Sequence, residues 1–151
     1  MRTIRNGVFE TNSSSVHALA IPKDRSCMPH SLNFGVGEFG WEYEEVYATE
    51  DYFWTAIRSL DNEGNNFKQR FLNIMAENNL QCDYDEKSND FCIDHCDELY
   101  DFVEMLLNDQ GKLFAFLYGG LVHTGSDNYQ DWDEMESIYS TTAYDVYMKG
   151  N

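Results

Sequence analysis

From Val16 to Ile21 the chain alternates, Val16, Ala18 and Ala20 on one side and His17, Leu19 and Ile21 on the other, which is the period of a β-strand. Leu32–Val36 predicts a second, shorter strand. The period then changes: Phe53, Ile57 and Leu60 follow at helical spacing behind Thr49, Glu50 and Asp51, an N-cap residue and an acidic first turn. Phe67, Phe71, Ile74 and Met75 predict a second helix. Short strands at Gln81–Tyr84 and Phe91–Ile93 flank the polar turn "DEKSND". Asp94 is placed to cap a third helix, with Asp97 and Glu98 in its first turn, Leu99, Phe102, Val103 and Leu106 as its apolar stripe and Gly111 as its stop.

Leu113–Leu117 is apolar on both faces, the pattern of a central strand covered on both sides. Gly119 and Gly120 turn the chain, and Leu121–Thr124 is expected to return as a neighbouring strand. The sum is an α+β fold, a mainly antiparallel sheet with about three helices. No repeat or linker divides it, so residues 1–151 read as one domain, with 129–151 as a less ordered covering tail.

Composition supports that reading. With 151 residues, 42% hydrophobic and 15% aromatic, one substantial core forms without metal or disulfide support. The N-terminus has no apolar leader and no stretch is long enough to cross a bilayer, which predicts a soluble chain that is not exported and has no membrane partner. Cys27, Cys82, Cys92 and Cys96 are then expected as reduced thiols.

Charge changes the picture most. Ten basic residues against 27 acidic ones leave a net charge of −17. Such a field repels nucleic acid, so direct binding to DNA or RNA is not expected, and it attracts basic surfaces. Acids crowd into Glu38–Asp51, Asp83–Asp109 and Asp127–Glu136, whereas Arg2, Arg5, Lys23 and Arg25 make the first segment locally basic.

Four groups of residues carry candidate chemistry. The first is "FETNSSSVH", Phe9 to His17. Its architectural reading is a tight turn in which Asn12 and the serines satisfy backbone groups, with Arg5 paired to Glu10. Its chemical readings are a phosphate-binding loop of Arg5, Asn12 and Ser14, or a nucleophilic site of Glu10, Ser13, Ser15 and His17. Ser15 and His17 lie about 6.5 to 7 Å apart along one strand face, too far for a direct nucleophile-to-base bond unless the side chains lean together.

The second group is Cys82, Cys92, His95 and Cys96, zinc-ligand types whose spacing departs from the usual C-x-x-C pairs, so no metal or cofactor is expected. The third is His123 with Thr124, Ser126, Asp127 and Asn128, which would share a pocket with His17 and Glu10 if their strands are neighbours. The fourth is the helical face of Asp97, Asp101 and Glu104, a ridge of like charge. With Tyr100, Trp132 and Tyr139 as anchors, it would present carboxylates to Lys and Arg that otherwise meet phosphates.

The blocks "IRNGVFETNSSSVHAL", "EFGWEYE", "IDHC" and "LYGGLVHTGSDN" resemble a family of small bacteriophage and prophage proteins that often begin with FETNSSS and a His. The resemblance implies a phage origin and a shared fold and brings no activity with it; a phage chain without an export signal is expected in the cytoplasm of the host bacterium. The leading expectation is an acidic interaction protein that inhibits a basic host factor, such as a defence nuclease, as a nucleic-acid mimic. The alternative is a small enzyme or nucleotide-binding protein built on Glu10, Asn12, Ser13, Ser15, His17 and His123.

Overall fold

The computed structural model describes residues 15–26, 30–39, 45–93, 99–126 and 143–149. Among them the chain is a mixed α+β domain whose main sheet is four-stranded and antiparallel. Strand β1 (Ser15–Pro22) lies inside it; the order is β4 (Glu45–Tyr47), β7 (Leu121–Ser126), β1, β8 (Tyr144–Lys149). The alternation that predicted β1 is met on both sides. Leu19 and Ile21 enter the main core, while Ala18 and Ala20 form a smaller cluster with Leu121, Tyr144 and Val146.

Two short parallel pairs complete the strands: β2 (Asn33–Phe34) with β5 (Asp83–Tyr84), and β3 (Glu38–Phe39) with β6 (Cys92–Ile93). The expected strand at Leu32–Val36 contracts to β2. Three helices lie where apolar spacing predicts them: α1 (Thr49–Asp61), α2 (Phe67–Glu77) and α3 (Tyr100–Leu107). The predicted Asp94 cap lies outside the described residues, and Ala48 rather than Thr49 precedes the first turn of α1. Thr49 instead donates its hydroxyl to the Leu117 carbonyl at 3.0 Å.

Leu113–Leu117 is helical, not a central strand: it belongs to α4 (Gln110–Gly119). Burial is complete along the run, as expected, but a segment apolar all round looks the same in a strand and in a buried helix. Residues 110–119 contain no β-branched side chain, and Leu113, Ala115 and Leu117 are good helix formers, which tips the run toward a helix. Asp109 caps the helix by accepting from the Lys112 N–H at 3.1 Å. Gly111, the expected stop of α3, is therefore in the first turn of α4, and α3 ends at Asn108.

Tyr144–Lys149, at the end of the segment read as a covering tail, is a strand of the main sheet. The core itself is aromatic: Phe53 meets Phe71 at 5.1 Å between centroids, Phe34 meets Tyr84 at 5.1 Å, and Phe102 meets Phe116 at 5.3 Å. No helix among the described residues is long and apolar enough to cross a membrane.

Gly120 makes the close approach between α4 and β1. A Cβ there would stand 2.6 Å from the Phe116 carbonyl oxygen and 2.8 Å from that of Ala20, both backbone atoms that cannot swing aside. Gly120→Ala is expected to destabilise the fold by about 1–3 kcal/mol, read from the midpoint of urea unfolding.

Candidate functional site

The serine run leads directly into β1, where Ser15 pairs with Ser126 and His17 with Thr124. Strand alternation turns His17 toward α1, with none of its surface exposed. Its Nδ1 shares a hydrogen bond with the Tyr52 hydroxyl, and the two rings meet edge-on. Tyr52 is itself buried, with the Phe39 ring edge-on at 5.3 Å. The imidazole is thus enclosed where a helix meets the sheet, out of reach of a substrate in bulk water.

His123 does not join it. The strands β1 and β7 are neighbours, as expected, but Ala18 is the residue opposite His123. An antiparallel pair shares its face, so the one-residue offset puts the imidazoles on opposite sides of the sheet. His123 is 5% exposed, on the side of Ala18 and Ala20. The joint acid–base pocket is not formed by these two residues. Arg5, Glu10, Asn12, Ser13, Ser14 and Asp127 lie outside the described residues.

The acidic face is differently built from the expected ridge of like charge. Asp101 is exposed, but Glu104 is held by Arg70 of α2 through two contacts, 2.9 Å to Oε1 and 3.3 Å to Oε2. The Asn108 side-chain amide adds a third at 2.9 Å. These donors hold the Glu104 carboxyl below its ordinary range, the Arg70 hydrogen bond contributing most. Next to the pair, Tyr100 leans on Phe67 at 5.1 Å, while the Arg70 guanidinium stands 5.5 Å from the same ring. Tyr100 is 41% exposed. Asp97 and Trp132, assigned to this face from the sequence, lie outside the described residues.

Cys82, just before β5, and Cys92, the first residue of β6, are half-buried and neither is in a disulfide. The Cys82 sulfur accepts from the Leu32 N–H at 3.4 Å, and burial together with this sulfur pushes the Tyr84 phenol above its ordinary value. No group of three or more His, Cys, Asp or Glu among the described residues is placed to hold a metal; His95 and Cys96 are outside them.

No protein-family model, no curated protein and no solved structure matches the chain. The chemistry of its surface therefore rests on the residues themselves.

Arg70, Phe67 and Asn108 were not read as part of the acidic face. Their signal in the sequence is weak: Glu104 and Asn108 are one helical turn apart, but Arg70 is 34 residues from Glu104. Arg58 was also missed. Its Nη1 donates to the carbonyls of Ser88 at 2.7 Å and Asp85 at 3.3 Å, and its guanidinium covers the Phe91 ring at 4.5 Å. Asp85 in turn accepts from the Ser88 N–H, the Ser88 hydroxyl and the Lys87 N–H, which hold its carboxyl below the usual range.

The buried His17–Tyr52 pair predicts that Tyr52→Phe, which removes one hydrogen bond from a buried imidazole, lowers stability by about 1–2 kcal/mol. Chemical denaturation of the variant at neutral pH reads this directly. A second expectation concerns acid. Because the Glu104 carboxyl is depressed in the folded state, its contribution is present above the unfolded value, about 4.3, and is lost as pH falls through the folded value. Glu104→Gln should therefore lose up to about 1 kcal/mol at pH 7 and less as the pH is lowered below about 4, measured by urea unfolding across that range.

Proposed function

We propose that this chain is a phage-encoded acidic interaction protein that binds a basic, nucleic-acid-handling protein of the bacterial host and inhibits it by occupying its phosphate-binding surface. The observation that carries the reading is the exposed Tyr100–Asp101 corner of α3 on a chain of net charge −17. Tyr100 is the exposed large hydrophobic side chain among the described residues, and Tyr is a residue type on which interfaces commonly depend. Phe67 and the Arg70–Glu104 bridge hold its surroundings, so little side-chain freedom remains to be lost on binding.

The carboxylates divide into two groups. Asp51, Asp61, Asp85, Asp109 and Glu104 bind backbone N–H groups or Arg70 and belong to the fold. Asp101, exposed beside Tyr100, makes no hydrogen bond or ion pair among the described residues and is available to a Lys or Arg of a partner. The burial of His17 and His123 on opposite faces supports the interaction reading over a catalytic one.

The test is capture of partners from nuclease-treated bacterial lysate by the tagged protein, at low and at high salt. Binding to a basic nucleic-acid-handling protein should be retained at low salt and released at high salt. The variant carrying Tyr100→Ala and Asp101→Lys should bind that protein at least about tenfold more weakly, with an unchanged circular dichroism spectrum. Glu104 is left intact because its loss would also break the Arg70 bridge. Undiminished binding by the folded double variant, or binding that ignores salt, would sink the proposal.

A further inference from the structure

The last turn of α1 and the segment leading into β6 enclose a cleft of about 350 Å³, lined by Arg58, Ser59, Asn62, Glu63, Asn89, Phe91, Cys92 and Ile93. This lies at the small end of the range of ligand sites, about 300–1,000 Å³, which suits a small molecule and not a folded partner. Its lining is mixed: Phe91, Cys92 and Ile93 are apolar, and a hydroxyl, two side-chain amides, the Glu63 carboxylate and one guanidinium are polar, so it is more polar than most such sites.

Arg58 is the informative residue. Both hydrogen bonds it makes among the described residues use Nη1, and both acceptors are backbone carbonyls. Those bonds and the Phe91 ring fix the position of the guanidinium; the nearby Asp85 carboxylate feels its charge but is engaged by Ser88 and Lys87, and no ion pair to Arg58 forms among the described residues. The Nε and Nη2 donors remain, and together they form the fork that receives a carboxylate with two parallel hydrogen bonds. On a chain with this excess of acid, an arginine held by carbonyls at a cleft is a local reversal of sign. Glu63 in the lining and the −17 charge oppose a multiply charged anion, leaving a monoanion.

We infer that this cleft binds a small organic monocarboxylate with a flat apolar body, distinct from the protein partner proposed above. The carboxylate sits on the free edge of Arg58 with the amides of Asn62 and Asn89 at its sides. The body rests against Phe91 and Ile93.

Benzoate is a suitable probe, with benzamide as its neutral counterpart of the same shape. Titrated into the isotopically labelled full chain, benzoate should shift the Arg58 Nε–H resonance and the side-chain amides of Asn62 and Asn89 saturably, and benzamide should bind at least tenfold more weakly. Arg58→Lys keeps the charge but loses the fork, and should weaken benzoate about tenfold. Because Arg58 also holds the 85–88 turn, Asn89→Asp is the second variant: Asn89 is exposed, and a carboxylate there should repel benzoate about tenfold with the fold intact. Equal binding of benzamide, an unaltered benzoate affinity in Asn89→Asp, or no saturable shift at Arg58 would each overturn the inference.

Discussion

The structure depends on the burial of a single helix on nearly every side. Residues 52 to 57 of α1 are all buried, which leaves the middle of that helix without a solvent face. It packs on the sheet through β7, on α2, α3 and α4, and on the short strands β2 and β6. A helix in this position must be apolar almost all round, and whatever polar groups it carries must find partners within the protein. Each of them is used to tie another part of the chain to α1. Asp51 and Thr55 accept from the N–H groups of Gly35 and Gly37, and Thr49 donates to α4. The Trp54 indole donates to the Asp85 carbonyl at 2.7 Å, the same oxygen that Arg58 reaches.

This arrangement also accounts for His17. A histidine on the inward face of β1 is tolerable because Tyr52 of α1 brings a hydroxyl to it, so the pair joins sheet and helix where two apolar residues would pack without specifying register. The same enclosure that makes His17 valuable to the fold withdraws it from chemistry. At the end of the Ser-His run, His17 is thus a buried residue bonded to the helix.

On the surface the acids are not equivalent. Those that cap helices or brace turns have their charge spent on N–H groups, and Glu104 is spent on Arg70. Asp101, exposed beside Tyr100, belongs to the remainder that the fold does not use among the described residues. Arg58 is the converse case, a cation anchored by backbone carbonyls, with no ion pair among the described residues, on the same acidic chain. Net charge describes neither site; which side chains remain after the fold has taken its share does.

Local periodicity determined β1, α1, α2 and the apolar stripe of α3, because each of those segments carries on its own residues a record of which side faces the core. It was silent where that record is uniform. Leu113–Leu117 is buried all round, so only the absence of β-branched residues hinted at the helix, and Tyr144–Lys149, half-buried from Tyr144 to Tyr147, alternates too weakly to announce a strand. The acidic composition and the two candidate histidines were equally plain from the sequence. Their roles were decided by pairings between distant segments: a register offset of one residue between β1 and β7 parts His17 from His123, and the packing of α2 on α3 brings Arg70 to Glu104. A side chain's type is local information, but its partner and its exposure are set by residues 30 or more positions away, and only the packed chain brings those together.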